Sequence, residues 1–218
     1  SGAKVVCFTP TVGLGKKMLK SGVDALVLEG NEAGGHIGPV STSILVQEIL
    51  PFFPDIPVFI AGGIGTGSMI ASYLQLGASG AQLGTRFVAT EECSAHENFK
   101  KVFLRAKSKD AVATAQFDPA LPVIPVRALV NEGTKDFNAL QLEMLTKVKA
   151  GEVEVKDAQL KLEEYWLGAL RKAVVDGDIA HGSLMAGQSV GLVKEIMPVK
   201  DIINELVEDA EKALAAGK

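Results

Sequence analysis

Residues 29–38, Glu-Gly-Asn-Glu-Ala-Gly-Gly-His-Ile-Gly, gather the side chains with the most chemistry to offer. His36 can take up or release a proton near neutral pH. Gly34 and Gly35 let the main chain come close to a ligand. Glu29 and Glu32 could orient the imidazole or accept hydrogen bonds from a ligand's hydroxyls or ring N–H. A lone histidine in such a loop is commonly a hydrogen-bonded structural residue. Its place at the mouth of an apolar run, where α/β folds bind ligands, favours proton transfer instead. Two more glycine clusters stand out, Ala61-Gly62-Gly63-Ile64-Gly65-Thr66-Gly67 and Gly84-Thr85-Arg86-Phe87. Main-chain amides between a strand and a helix make a natural phosphate cradle. The first cluster lacks the lysine of a P-loop and does not match the dinucleotide fingerprint, so alone it reads equally as a plain turn. Following consecutive strands, the two clusters would share one rim, which favours a phosphate between them. Arg86 reads as the partner of a surface carboxylate, and His96 and His181 as structural or solvated. Nothing supplies the convergent ligands of a metal site.

These loops need strands that end just before them. Residues 4–8, 24–28, 57–61 and 80–83 are short apolar runs, and helical periodicity follows in 11–21, 41–50 and 66–76. Leu14 and Met18 share a helix face, Leu45/Ile49 and Val46/Leu50 are i,i+4 pairs, and Ile70, Tyr73 and Leu74 point inward. Another helix begins near residue 91. Strands apolar on both faces, alternating with helices, predict a parallel sheet in a doubly wound fold or a (β/α) barrel. A closed barrel needs eight such units. The chain is therefore an open sheet or the carboxyl-terminal half of something longer.

Beyond residue 105 the pattern changes. Pro119, Pro122 and Pro125 mark residues 118–126 as an irregular connection. Helices dominate afterwards, with Leu140, Met144, Leu145 and Val148 on one, Leu162, Trp166, Leu170 and Val174 on the next, and a stripe from Ile202 to Leu214 on the last. These stripes read as core. The expected organisation is 1–105, βα units, and 106–218, the connection, a helical lobe over the mouth and a C-terminal helix. Residues 182–191, rich in glycine and small side chains, either cap a helix or return over the site.

With 218 residues and 47% apolar content, the chain can bury one sizeable core. A net charge of −4 gives no basic footprint for nucleic acid. No apolar run approaches the ~20 residues that span a bilayer, and no signal-peptide pattern opens the sequence. Cys7 and Cys93 lack metal or redox spacing, so free thiols and a cytoplasmic location are expected. The expected assembly is a homodimer.

Taken together, Glu32-Ala33-Gly34-Gly35-His36, Ala61-Gly62-Gly63-Ile64 and Gly80-Ala81-Gln82-Leu83-Gly84-Thr85-Arg86-Phe87 resemble the FMN-dependent barrels comprising enoyl-acyl-carrier-protein reductase II and the nitronate monooxygenases, once called 2-nitropropane dioxygenases. The resemblance continues through Glu91-Glu92-Cys93, Ala95-His96-Glu97, Val126-Arg127-Ala128 and residues 182–191. It implies an α/β fold, a TIM-type (β/α) barrel with a helical lobe, of which this chain is the second half from about the fifth strand. The resemblance also implies that the family's amino-terminal segment, which supplies part of the flavin pocket, lies outside these 218 residues. By resemblance, Gly62, Gly63, Gly84 and Thr85 hold the FMN phosphate with Ala61 beside them. Glu29, Gly34 and Gly35 lie near the ribityl chain or ring, Gln188 lies near the cofactor, and His36 is the active-site histidine. Met185-Ala186-Gly187-Gln188 and the helix-rich tail look more like the reductase branch. There NAD(P)H reduces the flavin and a trans-2-enoyl-acyl-carrier-protein thioester accepts hydride in fatty acid synthesis, with His36 supplying or relaying a proton. The alternative is a nitronate monooxygenase acting on a small nitroalkane. A third reading is a non-catalytic half-barrel that pairs with a second copy or with its missing half.

Overall fold

A computed structural model describes residues 2–217. The chain opens with β1 (Val6–Phe8), α1 (Val12–Lys20), β2 (Ala25–Glu29), the two-residue β3 (Gly35–His36), α2 (Thr42–Ile49), β4 (Val58–Ala61), α3 (Gly67–Gln75), β5 (Gly80–Gln82) and the single turn α4 (Thr85–Val88). Strands β1, β2, β4 and β5 form a parallel sheet in that order, with a helix crossing over between neighbours. This is the geometry of four consecutive units of a (β/α) barrel. Polar caps start the helices where the sequence changes period: the Thr11 hydroxyl accepts from the Leu14 amide, and the Thr66 hydroxyl from the Met69 amide.

Register decides which side chains meet. Leu26 stands beside Val58, and Leu28 beside Ile60, on the face that packs against Leu45, Val46 and Ile49 of α2 and Tyr73 of α3. The other face carries the row Phe8–Val27–Phe59 and, at the carboxyl ends of the strands, the row Glu29–Ala61–Gln82. That face would be the inner wall of a closed barrel, and β1 lies at its edge with Val6 and Phe8 exposed.

The remainder comprises α5 (Glu97–Arg105), β6 (Ala111–Ala113), β7 (Val126–Leu129), α6 (Glu132–Lys149), α7 (Val155–Val174) and α8 (Val199–Ala216). Strands β3, β7 and β6 make a small antiparallel sheet, so the glycine loop after β2 is stitched to residues beyond 105. Helices α6 and α7 bury Phe137, Leu162 and Trp166 between them, with the Phe137 and Trp166 rings 4.2 Å apart. Helix α8 lies across α3. A Cβ at Gly67 would collide with the α8 backbone at Leu206, and the Asp209 carboxylate accepts the Ser68 amide at 2.7 Å.

Several expectations change. The sequence predicts a helix starting near residue 91, yet α5 starts at Glu97. Residues before it turn instead, with the Thr90 hydroxyl accepting the Cys93 amide. The antiparallel sheet leaves no mark in the sequence pattern, because its strands are two to four residues long and one follows the proline-rich connection. Leu74 is 37% exposed rather than inside. Arg86 does face a surface carboxylate, exposed Glu205 at 3.7 Å, but its own side chain is buried beside Met197.

Candidate active site

Glu29, Ala61 and Gln82 open onto a cavity of about 340 Å³, whose wall also includes Gly34, Gly35, Gly62, Gly84, Thr85 and Met185. It sits at the carboxyl ends of the parallel strands, where this architecture places its chemistry. Most of the residues singled out from sequence converge here. The exceptions are Gly63, Gln188 and His36. Gly63 and Gln188 line an adjoining cavity of about 240 Å³ with Glu32, Tyr73 and Ser108, on which Gly62 also borders. His36 borders neither, although Gly35 before it lines the larger one.

The glycines have distinct tasks. Gly62 and Gly63 take φ of 91° and 74°, the left-handed region that side chains disfavour. A Cβ on Gly62 would stand 2.9 Å from the Gly30 carbonyl oxygen. Gly34 touches the returning loop, where a Cβ would lie 2.6 Å from the Gly187 nitrogen. Gly84 is different. A Cβ there would meet no atom within 4 Å, so this residue leaves open space where it lines the cavity.

Residues 182–191 do return over the site. The Gly187 amide donates to the Thr85 hydroxyl at 2.9 Å, and the Gln188 amide to the Glu32 carbonyl at 2.8 Å. Met185 reaches the wall through a bridge between its backbone and Ala128. Neither Met185 nor Gln82 was singled out from sequence as a site residue. Gln82 enters through the register that sets it beside Ala61, and a strand sequence alone does not specify its register.

The acidic residues part company. One Glu32 carboxylate oxygen accepts both the amide and the hydroxyl of Thr42 at 2.9 Å, so this side chain clamps the glycine loop to α2. Buried Arg127 holds the same loop from the other side, donating to the Asn31 and Ala111 carbonyls at 2.9 and 2.6 Å. Its burial lowers the guanidinium pKa, and the Glu32 charge opposes that shift. Glu29 has no side-chain hydrogen-bond partner among the described residues. Burial alone pushes its carboxyl pKa up. It is the acidic group that remains free to meet a ligand.

His36 is oriented by neither Glu29 nor Glu32. Its Nε2 lies 2.9 Å from a carboxylate oxygen of Glu163 on α7. His96 and His181 lie elsewhere: His96 Nδ1 accepts the Asn98 amide at the start of α5, and His181 Nδ1 is 3.1 Å from Asp136. Contact with Asp136 raises the His181 pKa. Among the described residues no group of acidic, histidine or cysteine side chains could hold a metal ion.

The lining of the larger cavity suits the phosphate end of an FMN group. Main chain at Gly62 and Gly84, a hydroxyl at Thr85, open space at Gly84 and an unpartnered carboxyl at Glu29 all border one cavity. Close main chain beside a few polar groups suits a phosphate and a polar chain.

Comparison with known proteins agrees with this geometry. The family model described as nitronate monooxygenase matches residues 1–209. FabK from Thermotoga maritima superposes with a TM-score of 0.83 at 35% identity, covering 99% of this chain and 63% of that one. Nitroalkane oxidase from Streptomyces ansochromogenes gives a TM-score of 0.73 at 27% identity, covering 100% of this chain and 60% of that one. The (3aS,4S,5R,7aS)-5-hydroxy-7a-methyl-1-oxo-octahydro-1H-indene-4-carboxyl-CoA dehydrogenase of Rhodococcus jostii is 31% identical over 97% of this chain and 66% of its own length. The chain thus spans under two thirds of the length of these proteins. It belongs to the nitronate monooxygenase family.

Proposed function

We propose that this chain carries the FMN-binding rim of a flavin-dependent oxidoreductase that reduces a trans-2-enoyl thioester, presented on acyl-carrier protein, with NAD(P)H. The observation that carries the reading is the single cavity shared by the Glu29–Ala61–Gln82 row and the Gly62 and Gly84–Thr85 turns. In this reading Gly62, Gly84 and Thr85 hold the phosphate from one side, and Gly63 approaches it from the adjoining cavity. Glu29, raised in pKa by burial, faces the ribityl hydroxyls or a ring N–H as donor or acceptor. Gly34 and Gly35 keep the loop main chain close, and residues 185–188 exclude water from above. FMN, when bound, supplies the hydride exchange between nicotinamide and the acceptor's β-carbon. His36 supplies or relays the proton that the α-carbon then requires.

The likeness to FabK, the thioester named for the Rhodococcus relative, and the Met185-Ala186-Gly187-Gln188 loop support the reductase reading. The family description and the likeness to a nitroalkane oxidase support a second reading, a nitronate monooxygenase in which His36 acts on the acidic C–H beside a nitro group. Anaerobic mixing of FMN-loaded protein with NADH separates them. The reductase reading expects the flavin to bleach and crotonyl thioester to restore its colour. An unbleached flavin, with oxygen consumed on adding nitropropane, replaces that reading with the second.

A further inference from the structure

We infer that Glu163, on α7, is a positioning residue for His36: it holds the imidazole with its hydrogen on Nε2 and leaves Nδ1 as the atom that exchanges a proton with substrate. The inference deepens the functional reading above and rests on it for the role of His36. The observation behind it is the 2.9 Å contact between His36 Nε2 and Glu163, 127 residues apart in the chain. A carboxylate can only accept, so the contacting nitrogen must carry the hydrogen. Nδ1 has no hydrogen-bond partner among the described residues, and it is left with the lone pair. A carboxylate on one imidazole nitrogen fixes both tautomer and ring orientation, and it favours the imidazolium that forms when the other nitrogen takes a proton.

Both partners are held from behind. His36 lies in β3, paired to Val126, and the next amide, Ile37, donates to the Pro125 carbonyl at 2.9 Å. On α7, Leu162 and Trp166 are buried on either side of Glu163. One turn earlier, the Gln159 amide donates to the Pro122 carbonyl at 2.6 Å. The helical lobe therefore brings a partly exposed carboxylate, on an anchored stretch of α7, to His36. Neither candidate from the loop itself is available, since Glu32 serves Thr42 and Glu29 lines the cavity.

The proton balance is the same in either direction. In reduction, Nδ1 first takes a proton from solvent to give the imidazolium; the Nδ1–H bond then breaks, its electron pair stays on the ring, and a C–H bond forms with the carbanion pair at the α-carbon. The ring is left neutral with hydrogen on Nε2, and solvent reloads Nδ1, because the His36 side chain is 46% exposed. In abstraction from a nitroalkane, Nδ1 takes the proton, and the Glu163 charge faces the resulting cation.

The test is a double-mutant cycle on the FMN-loaded protein, joined to ¹⁵N spectra of the His36 ring. E163L is expected to lower kcat roughly tenfold while KM and flavin content change less than about twofold. E163Q, whose amide oxygen still accepts the Nε2 hydrogen, is expected to recover part of the rate. In the His36→Ala background, E163L is expected to cost nothing further. The ring spectrum is expected to show one Nε2-protonated tautomer in the unmodified protein and a mixture in E163L. An equal loss from E163L with and without His36 would overturn the inference, as would an unchanged tautomer in E163L. If the unmodified protein shows no turnover, the functional reading fails, and the ring spectrum still decides the pair.

Discussion

At the scale of single residues, polar groups at the mouth divide between holding the loop and meeting a ligand. Glu32 and Arg127 spend their hydrogen bonds on Thr42, Asn31 and Ala111, whereas Glu29 keeps its carboxyl free. Burial raises the Glu29 pKa, so the folded state holds that proton more tightly than the unfolded chain does. Stability is then undiminished below the unfolded value and is lost as pH rises through the folded one. Glu29→Gln in flavin-free protein is therefore expected to melt about 1–2 °C higher than the parent at pH 7 and at the parent's own temperature at pH 4. Thermal scans at the two values check it, and an equal gain at both would assign the effect to something other than ionisation. His36→Ala is expected to keep its flavin and to lose about a hundredfold in turnover. Unchanged turnover would remove the imidazole from the mechanism. The glycine turns were legible in the sequence because few residues tolerate φ near 91° or 74°, and strand-end glycines advertise close backbone approach. Glu163 was not legible as the partner of His36. On its own helix it reads as one more wet-face charge, and the fold alone brings it within 2.9 Å.

At the scale of elements, the parallel units follow from local pattern and the small sheet does not. Runs such as Ala25–Glu29 and Val58–Ala61 are apolar on both faces, which a covered parallel strand requires. Their register is a tertiary matter, and it puts Gln82 in line with Ala61 and Glu29. Strands β3, β6 and β7 are too short for a period of two to show, and they exist because they pair across the chain. Helix α8 shows the same split. Its Ile202 and Leu206 are buried, but Ile203 and Val207 on the same apolar stripe are about half exposed. The Asp209 carboxylate caps the first turn of α3 through the Ser68 amide. Asp209→Ala is expected to cost about 1 kcal/mol in chemical denaturation with flavin affinity unchanged. A loss of flavin in that variant would tie α8 to the site rather than to the stability of α3.

At the scale of the whole molecule, four parallel strands leave an inner wall open. Val6 and Phe8 lie on that wall or at its edge, 51% and 46% exposed. The chain covers 63% of the FabK structure, which it matches over almost all of its own length. Among the described residues no helix is long and apolar enough to cross a membrane. The whole account turns on two adjacent turns, at Gly62–Gly63 and Gly84–Thr85, gripping a flavin phosphate through main-chain amides. The most direct measurement is a titration of the protein and of Gly63→Val with FMN, followed by flavin fluorescence. The expected result is saturation at one FMN per chain for the parent and no saturable binding for Gly63→Val, whose side chain cannot adopt φ of 74° without strain and would press on Glu32. Equal occupancy in the two proteins, or none in the parent, would contradict it.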